Sequence, residues 1–258
     1  MNPFWSAQHQ ANFTLFSSSH LAAVAGIAMA AAALYVWREP LGRSRPYKDL
    51  VRCGIIAALL LPEIALNIWY GAEGLWNVKS TLPLELCSIT LVLSVFMLWT
   101  RSRRLYSILF FAGICGALQA IATPSLGYPF PHFRFFHFFI AHGAIIMASL
   151  YMTWIENCKP SWKSVGAAML FLNLLMLGVG GVNRMLGSNY MFLMHKPDTP
   201  SMLDMLGPHP YYLIAEEAIA LTMFVLLYLL FFRMPALLFQ SSKKFHETPG
   251  KREYYDGR

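Results

Sequence analysis

The sequence predicts an all-α protein, a polytopic membrane bundle of seven transmembrane helices with the N-terminus outside and the C-terminus cytoplasmic. Three observations carry this. Of 258 residues, 57% are hydrophobic and only 13% charged, whereas soluble domains average about 25% charged residues. Several separate apolar runs reach the roughly 18–20 residues that cross a bilayer. And sixteen of the twenty lysines and arginines fall in alternate loops and the tail, the bias of cytoplasmic segments.

The elements follow from apolar runs and their breakers. Met1–Ser19 is polar and aromatic, without the basic leader of a signal peptide. The first span runs over 20–37 and stops at Arg38-Glu39-Pro40. The second covers 51–70, and the third covers 82–99 until Thr100-Arg101. Pro83 is expected in the first turn of that third helix, where proline costs nothing. The fourth covers 105–122, before Thr123-Pro124, and the fifth covers 135–154, before Glu156 and Lys159-Pro160. The sixth covers 164–183, and the seventh covers 211–232, before Arg233. Residues 1–232 are thus expected to form one transmembrane domain, with 233–258 a mobile, basic cytoplasmic tail. Loop 38–52 holds five basic residues, and the long loop 184–210, rich in aromatics and prolines, is expected to be an ordered outer lid.

The net charge of +7 sits in loops and tail, with no basic stripe on a folded face. That excludes nucleic acid as the natural partner and leaves membrane lipid. Cys53, Cys87, Cys115 and Cys158 show no CxxC or Cys–His ligand spacing, so no metal site and no cofactor is indicated.

Ionisable groups at membrane depth are costly and mark function by default. At 1.5 Å per residue, Asn67 lies about 4–5 Å and Glu63 about 10 Å below the outer edge, on one helix face. Cys87 lies about 7 Å deep, His137 about 3 Å, His142 about 10 Å, and Glu216 and Glu217 about 7–9 Å. The inner half is nearly free of such groups. An outward-opening polar pocket explains this asymmetry, and scattered interhelical hydrogen bonds are the plain alternative. Within the pocket, a thiol beside an imidazole makes a nucleophile–base pair, and Cys87 and His142 suit one another by depth and helix direction. Glu63 or Glu216 is then the group that orients the imidazole. Asn67, Asn189 and Tyr190 are candidate donors to an oxyanion or a headgroup, and His137 is a further pocket residue.

Four motifs stand in order: TLPLELC at 81–87, TPSLGYPFPHFRFFHFFIAHG at 123–143, NRMLGSNYMFLMHKP at 183–197 and GPHPYY at 207–212. Together they resemble the YwaF-like family of bacterial integral membrane proteins. That family is in turn distantly similar to the transmembrane protein 164 family of eukaryotic lipid acyltransferases, which move a fatty acyl chain between glycerophospholipids. The resemblance implies a multi-pass protein of a bacterial cell (inner) membrane, with a Cys–His pair on two membrane helices. By motif, the cysteine of LPLELC is Cys87 and the histidine of FFIAHG is His142. The expected function is that of a membrane-embedded lipid acyltransferase or acyl hydrolase acting on phospholipid acyl chains. The alternative is a transporter or substrate-binding membrane protein that uses the same outward pocket without covalent chemistry.

Overall fold

The protein is described by a computed structural model covering residues 4–8, 10–11, 13–197 and 202–234. The expected tail lies almost wholly outside the described residues.

Among the described residues the chain is entirely helical, with no strand. Helix α1 (Ser18–Val36) starts where the Ser17 side chain accepts the N–H of His20, a standard N-cap bond. Helix α2 (Arg38–Arg43) is short, and α3 (Arg45–Ala72) follows with proline in its first positions. Helix α4 (Leu86–Thr100) stops at Arg101, and α5 (Arg103–Ala122) is capped by Ser102. In α6 (Phe133–Trp154) the cap is the His132 ring, which accepts the N–H of Arg134. Helix α7 (Trp162–Leu186) opens on a reciprocal Ser161–Ser164 capping box and closes at Gly187. Finally α8 (Tyr211–Tyr228) runs on through a π-helical turn, Leu229–Arg233.

Two bonded clusters fix the ends of the bundle. At one end, here the lower, Asp49 of α3 pairs with Arg52 (3.0 Å) and with Arg101 after α4 (2.8 Å). Glu156 after α6 pairs with Lys48 (3.8 Å) and accepts the Tyr151 hydroxyl (2.9 Å). At the opposite, upper end, the N-terminal segment lies across the helix tips. Trp69 of α3 donates to the Trp5 carbonyl, Ala7 N–H donates to Glu73, and Phe133 N–H donates to the Phe4 carbonyl. His20 bonds the Ile121 carbonyl at 2.9 Å, so α1 begins where α5 ends.

Helices α5 and α6 form the centre: 56% and 67% of their apolar windows are buried, against 11–22% for the other long helices. Leu109, Phe110 and Phe111 of α5 pack with Leu59 of α3 and Met97 and Leu98 of α4, each essentially inaccessible. The outer helices turn large apolar side chains outward, Met29, Leu61 and Leu177 among them. Such a surface is stable against lipid and not against water. Six helices are long and apolar enough to cross a membrane. The molecule is a polytopic helical membrane bundle.

A helix occurs within each of the seven expected stretches, six of them long and apolar enough to cross a membrane among the described residues, and two bounds are corrected. Loop 38–52 is not a loop: α2 and the first turns of α3 fill it, separated by extended Ser44. Three of its five basic residues, Arg43, Lys48 and Arg52, have acidic partners in Glu39, Glu156 and Asp49. And α4 begins at Leu86 rather than at 82, with Glu85 extended at φ −70°, ψ 150°. Pro83 therefore stands before the helix and not in its first turn. At 15 residues α4 is about 22 Å long, short of a hydrocarbon core about 30 Å thick.

Candidate active site at the head of helix α4

The late start of α4 sets the site. Residues 82–85 precede the helix, and a second loop bonds to them. Tyr190, buried after α7, accepts the N–H of Leu82 at 3.0 Å and donates its hydroxyl proton to the Val78 carbonyl at 2.7 Å. The Glu85 carboxylate accepts the Met191 N–H at 3.0 Å. Tyr190 is held in turn by Asn183, whose side chain both donates to its carbonyl and accepts from its N–H, each at 2.9 Å. Residues 187–197 of the long loop are thus docked on the approach to α4. Residues 198–201 of the lid lie outside the described residues.

Cys87 is consequently the second residue of α4, half-buried and packed against the main core. Its carbonyl accepts the Thr90 hydroxyl at 3.1 Å. Ser94 sits two turns deeper on the same face, its hydroxyl fully buried without a hydrogen-bond partner among the described residues.

His142 lies on α6, which packs directly on α4. Its Nδ1 is 2.7 Å from the Phe138 carbonyl. A carbonyl only accepts, so Nδ1 carries the proton, and in the neutral ring Nε2 keeps the lone pair. Among the described residues Nε2 has no hydrogen-bond partner, and no hydrogen bond joins the ring to Cys87. The ring is half-buried and packs on Phe138, centroids 4.3 Å apart. The ring therefore carries its proton on Nδ1, with the thiol on the adjoining helix and no hydrogen bond between the two.

The other expected residues divide. Glu63 does not orient His142. It pairs with His137 at 3.4 Å, because two residues five apart point about 140° apart round a helix. The backbone of Phe138 takes the orienting role instead. Glu216, half-buried on α8, makes no hydrogen bond or ion pair among the described residues. Its neighbour Glu217 accepts from Asn173 of α7 at 2.9 Å. Asn67 is exposed and spends its side-chain N–H on the Glu63 carbonyl at 2.9 Å. Asn189 is occupied within its own loop: Oδ1 accepts the N–H groups of Met194 and His195, and Nδ2 donates to the His195 carbonyl. Asn189 and Tyr190 thus build the lid, and a small cavity of about 300 Å³ remains between it and the α4 approach, lined by Lys79, Glu85, Tyr190 and His195 among others. Sequence reasoning missed Glu85 and Asn183 as organisers. Both stand inside motifs already singled out, but their partners are over 100 and seven residues away respectively.

No group of three or more His, Cys, Asp or Glu that could hold a metal occurs among the described residues. All four cysteines are free thiols.

A family model described as the TMEM164 family matches residues 15–228, most of the chain and nearly all of the helical bundle. No curated protein and no solved structure matches significantly. The likeness to the YwaF-like proteins remains a resemblance of motifs.

Proposed function

This chain belongs to the TMEM164 family, and from that premise we propose that it is a membrane-embedded acyltransferase or acyl hydrolase of phospholipids, with Cys87 as nucleophile and His142 as base. The observation that carries this reading is the state of His142. Its Nδ1–H is committed to the Phe138 carbonyl and its Nε2 is free among the described residues, on a helix packed against the one bearing Cys87.

In the proposed cycle Nε2 takes the Cys87 proton and the thiolate attacks the acyl ester carbonyl. The tetrahedral intermediate collapses, the C–O bond breaks, and the lysophospholipid oxygen leaves with the proton from the imidazolium. The acyl group remains as a thioester on Cys87. A lysolipid hydroxyl, or water, then gives its proton to Nε2 and attacks the thioester. The new ester or free acid departs, and the proton returns to the thiol. Glu63 and His137 lie above as a pocket pair, whereas Glu216 sits on α8, which packs on α5 and α7.

The same reading makes α4 a seventh span, with the N-terminus outside, the C-terminus cytoplasmic, and 233–258 a cytoplasmic tail. The non-helical residues 82–85 complete the crossing that α4 alone is too short to make. Non-helical backbone is tolerated at membrane depth where protein satisfies it, as Tyr190 does for Leu82. The resemblance to the YwaF-like family points to a bacterial cell (inner) membrane.

The decisive experiment follows acyl release and transfer from phospholipid labelled in one acyl chain, in purified, reconstituted protein. Cys87→Ala and His142→Gln are each expected to lower turnover at least about 100-fold, the scale of losing a general base or nucleophile. The thioester should be trapped by hydroxylamine in the wild type and absent in Cys87→Ala. Unchanged turnover in both variants removes the proposal. Bound but unaltered phospholipid, with an inert thiol, would favour the transporter reading, to which the Glu63–His137 pair is also suited.

A further inference from the structure

Helices α1 and α3 each pack on α6. Between them runs a groove of about 780 Å³, floored by α6. It exists because small residues face it: Ala22, Gly26 and Ala30 on α1, and Gly54 and Ala58 on α3. A methyl group added at Gly26 or Gly54 would have no atom within 4 Å, so both open on empty space. At its floor α1 meets α6 closely: a methyl group at Gly143 would stand 3.0 Å from Ile27, so the absence of a side chain there lets α1 seat on α6.

We propose that this groove is a binding site for one acyl chain of a membrane phospholipid. Three features commit it to that occupant. Its walls are almost wholly apolar, with the Ser18 and Ser19 hydroxyls at its upper lip beside Phe130 and Phe136. It is continuous with the lipid-facing surface of the bundle, since Leu21 and Met29 on α1 and Ile140 on α6 are exposed along its margins. And its lining runs from Ser18 to Ala30, about 18 Å of helix. That is close to the depth of one leaflet, half of a hydrocarbon core about 30 Å thick. A chain entering at the upper lip therefore reaches the bilayer midplane along the groove, with its ester and headgroup left at the two serines. The volume lies within the roughly 300–1,000 Å³ of formed ligand sites. Neither Cys87 nor His142 lines it, so the site stands independently of the catalytic proposal.

The test is photo-crosslinking of the full chain in vesicles of phosphatidylglycerol and phosphatidylethanolamine containing a phosphatidylcholine with a diazirine in mid-acyl chain. Adducts, mapped by mass spectrometry, are expected to concentrate on the α1 and α3 walls. Gly26→Leu and Gly54→Leu should reduce them severalfold and leave adducts on the far face of α7, at Leu174 and Leu177, unchanged. Ala30→Leu, on a more exposed part of α1, provides a second plug, and unchanged thermal unfolding shows that each variant folds. Equal labelling of all lipid-facing surfaces, or plugs without effect, overturns the site. So does a disulfide between two copies of Ala30→Cys in the same vesicles, which would mean that a second copy fills the groove.

Discussion

His137 and His142 lie on one helix and hold different partners, and substitutions should separate them. His142 is bound to its own backbone and leaves Nε2 available, whereas His137 is tied to Glu63 across to α3. His137→Gln is expected to lower stability by about 1 kcal/mol, the usual worth of a single partly buried polar contact, and to keep most turnover. His142→Gln is expected to do the reverse. Thermal unfolding in detergent, read beside acyl release, separates the two. Cys158, in the 155–161 loop, offers a pH-dependent check. Burial pushes its thiol above the ordinary range, and the nearby Arg103 guanidinium pulls it partly back. A raised thiol carries less thiolate at neutral pH, so it reacts more slowly. With Cys53, Cys87 and Cys115 replaced by serine, iodoacetamide should alkylate the folded protein more slowly than a model thiol. The difference should narrow as pH rises towards the raised value, and labelling as fast as the model thiol would contradict the burial.

At the scale of elements, the clamp between the lid and the approach to α4 decides where Cys87 sits. Tyr190→Phe removes one donor and one acceptor together, leaving the Val78 carbonyl and the Leu82 N–H unpaired. An expected loss of about 1–2 kcal/mol follows from the cost of orphaned polar groups. Faster amide exchange at Leu82 would be the local signature, and unchanged exchange there would mean that the loops are held by something else. Gly187 ends α7 in the left-handed region at φ +62°, where a side chain is strained. Gly187→Ala is therefore expected to cost about 1 kcal/mol, and calorimetry of the two proteins measures it. The acidic side of the lower cluster carries a comparable test. Asp49→Asn loosens contacts to both Arg52 and Arg101, partners at 3.0 and 2.8 Å. Because these groups are half-exposed and screened, the expected loss stays below about 1 kcal/mol.

For the whole molecule, the charge asymmetry and the bonded ends concern one axis. The lower end holds Arg38, Arg43, Lys48, Arg52 and Arg101, and the upper end holds Lys79, Arg134, Arg184 and Lys196. If the lower end is cytoplasmic, as the proposal has it, a single cysteine at Lys79 should react with an impermeant maleimide in intact cells. One at Arg103 should react only after permeabilisation. The opposite pattern would invert the bundle and place the Cys87 end in the cytoplasm. The N-terminal segment belongs to this scale too. It reads in the sequence as a polar, aromatic stretch ahead of the first span, yet it ties the tips of α3 and α6 together through Trp5, Ala7 and Phe4.

What the sequence determined alone was the set of helices and their order, because helix length, apolar run and breaker are local properties of the chain. It also singled out Cys87 and His142, since costly groups at membrane depth can be counted before any packing is known. Which groups meet was decided only by the tertiary structure. Glu63 chose His137 over His142 through the rotation of α6 against α3, an angle that no spacing on one helix contains. The start of α4 falls four residues later than expected, where the Leu82 N–H and the Glu85 carboxylate meet Tyr190 and Met191, over 100 positions away. The groove beside α1 is likewise a property of three helices at once: α1 and α3 contribute rows of small side chains, and the empty space appears where those rows face one another over α6.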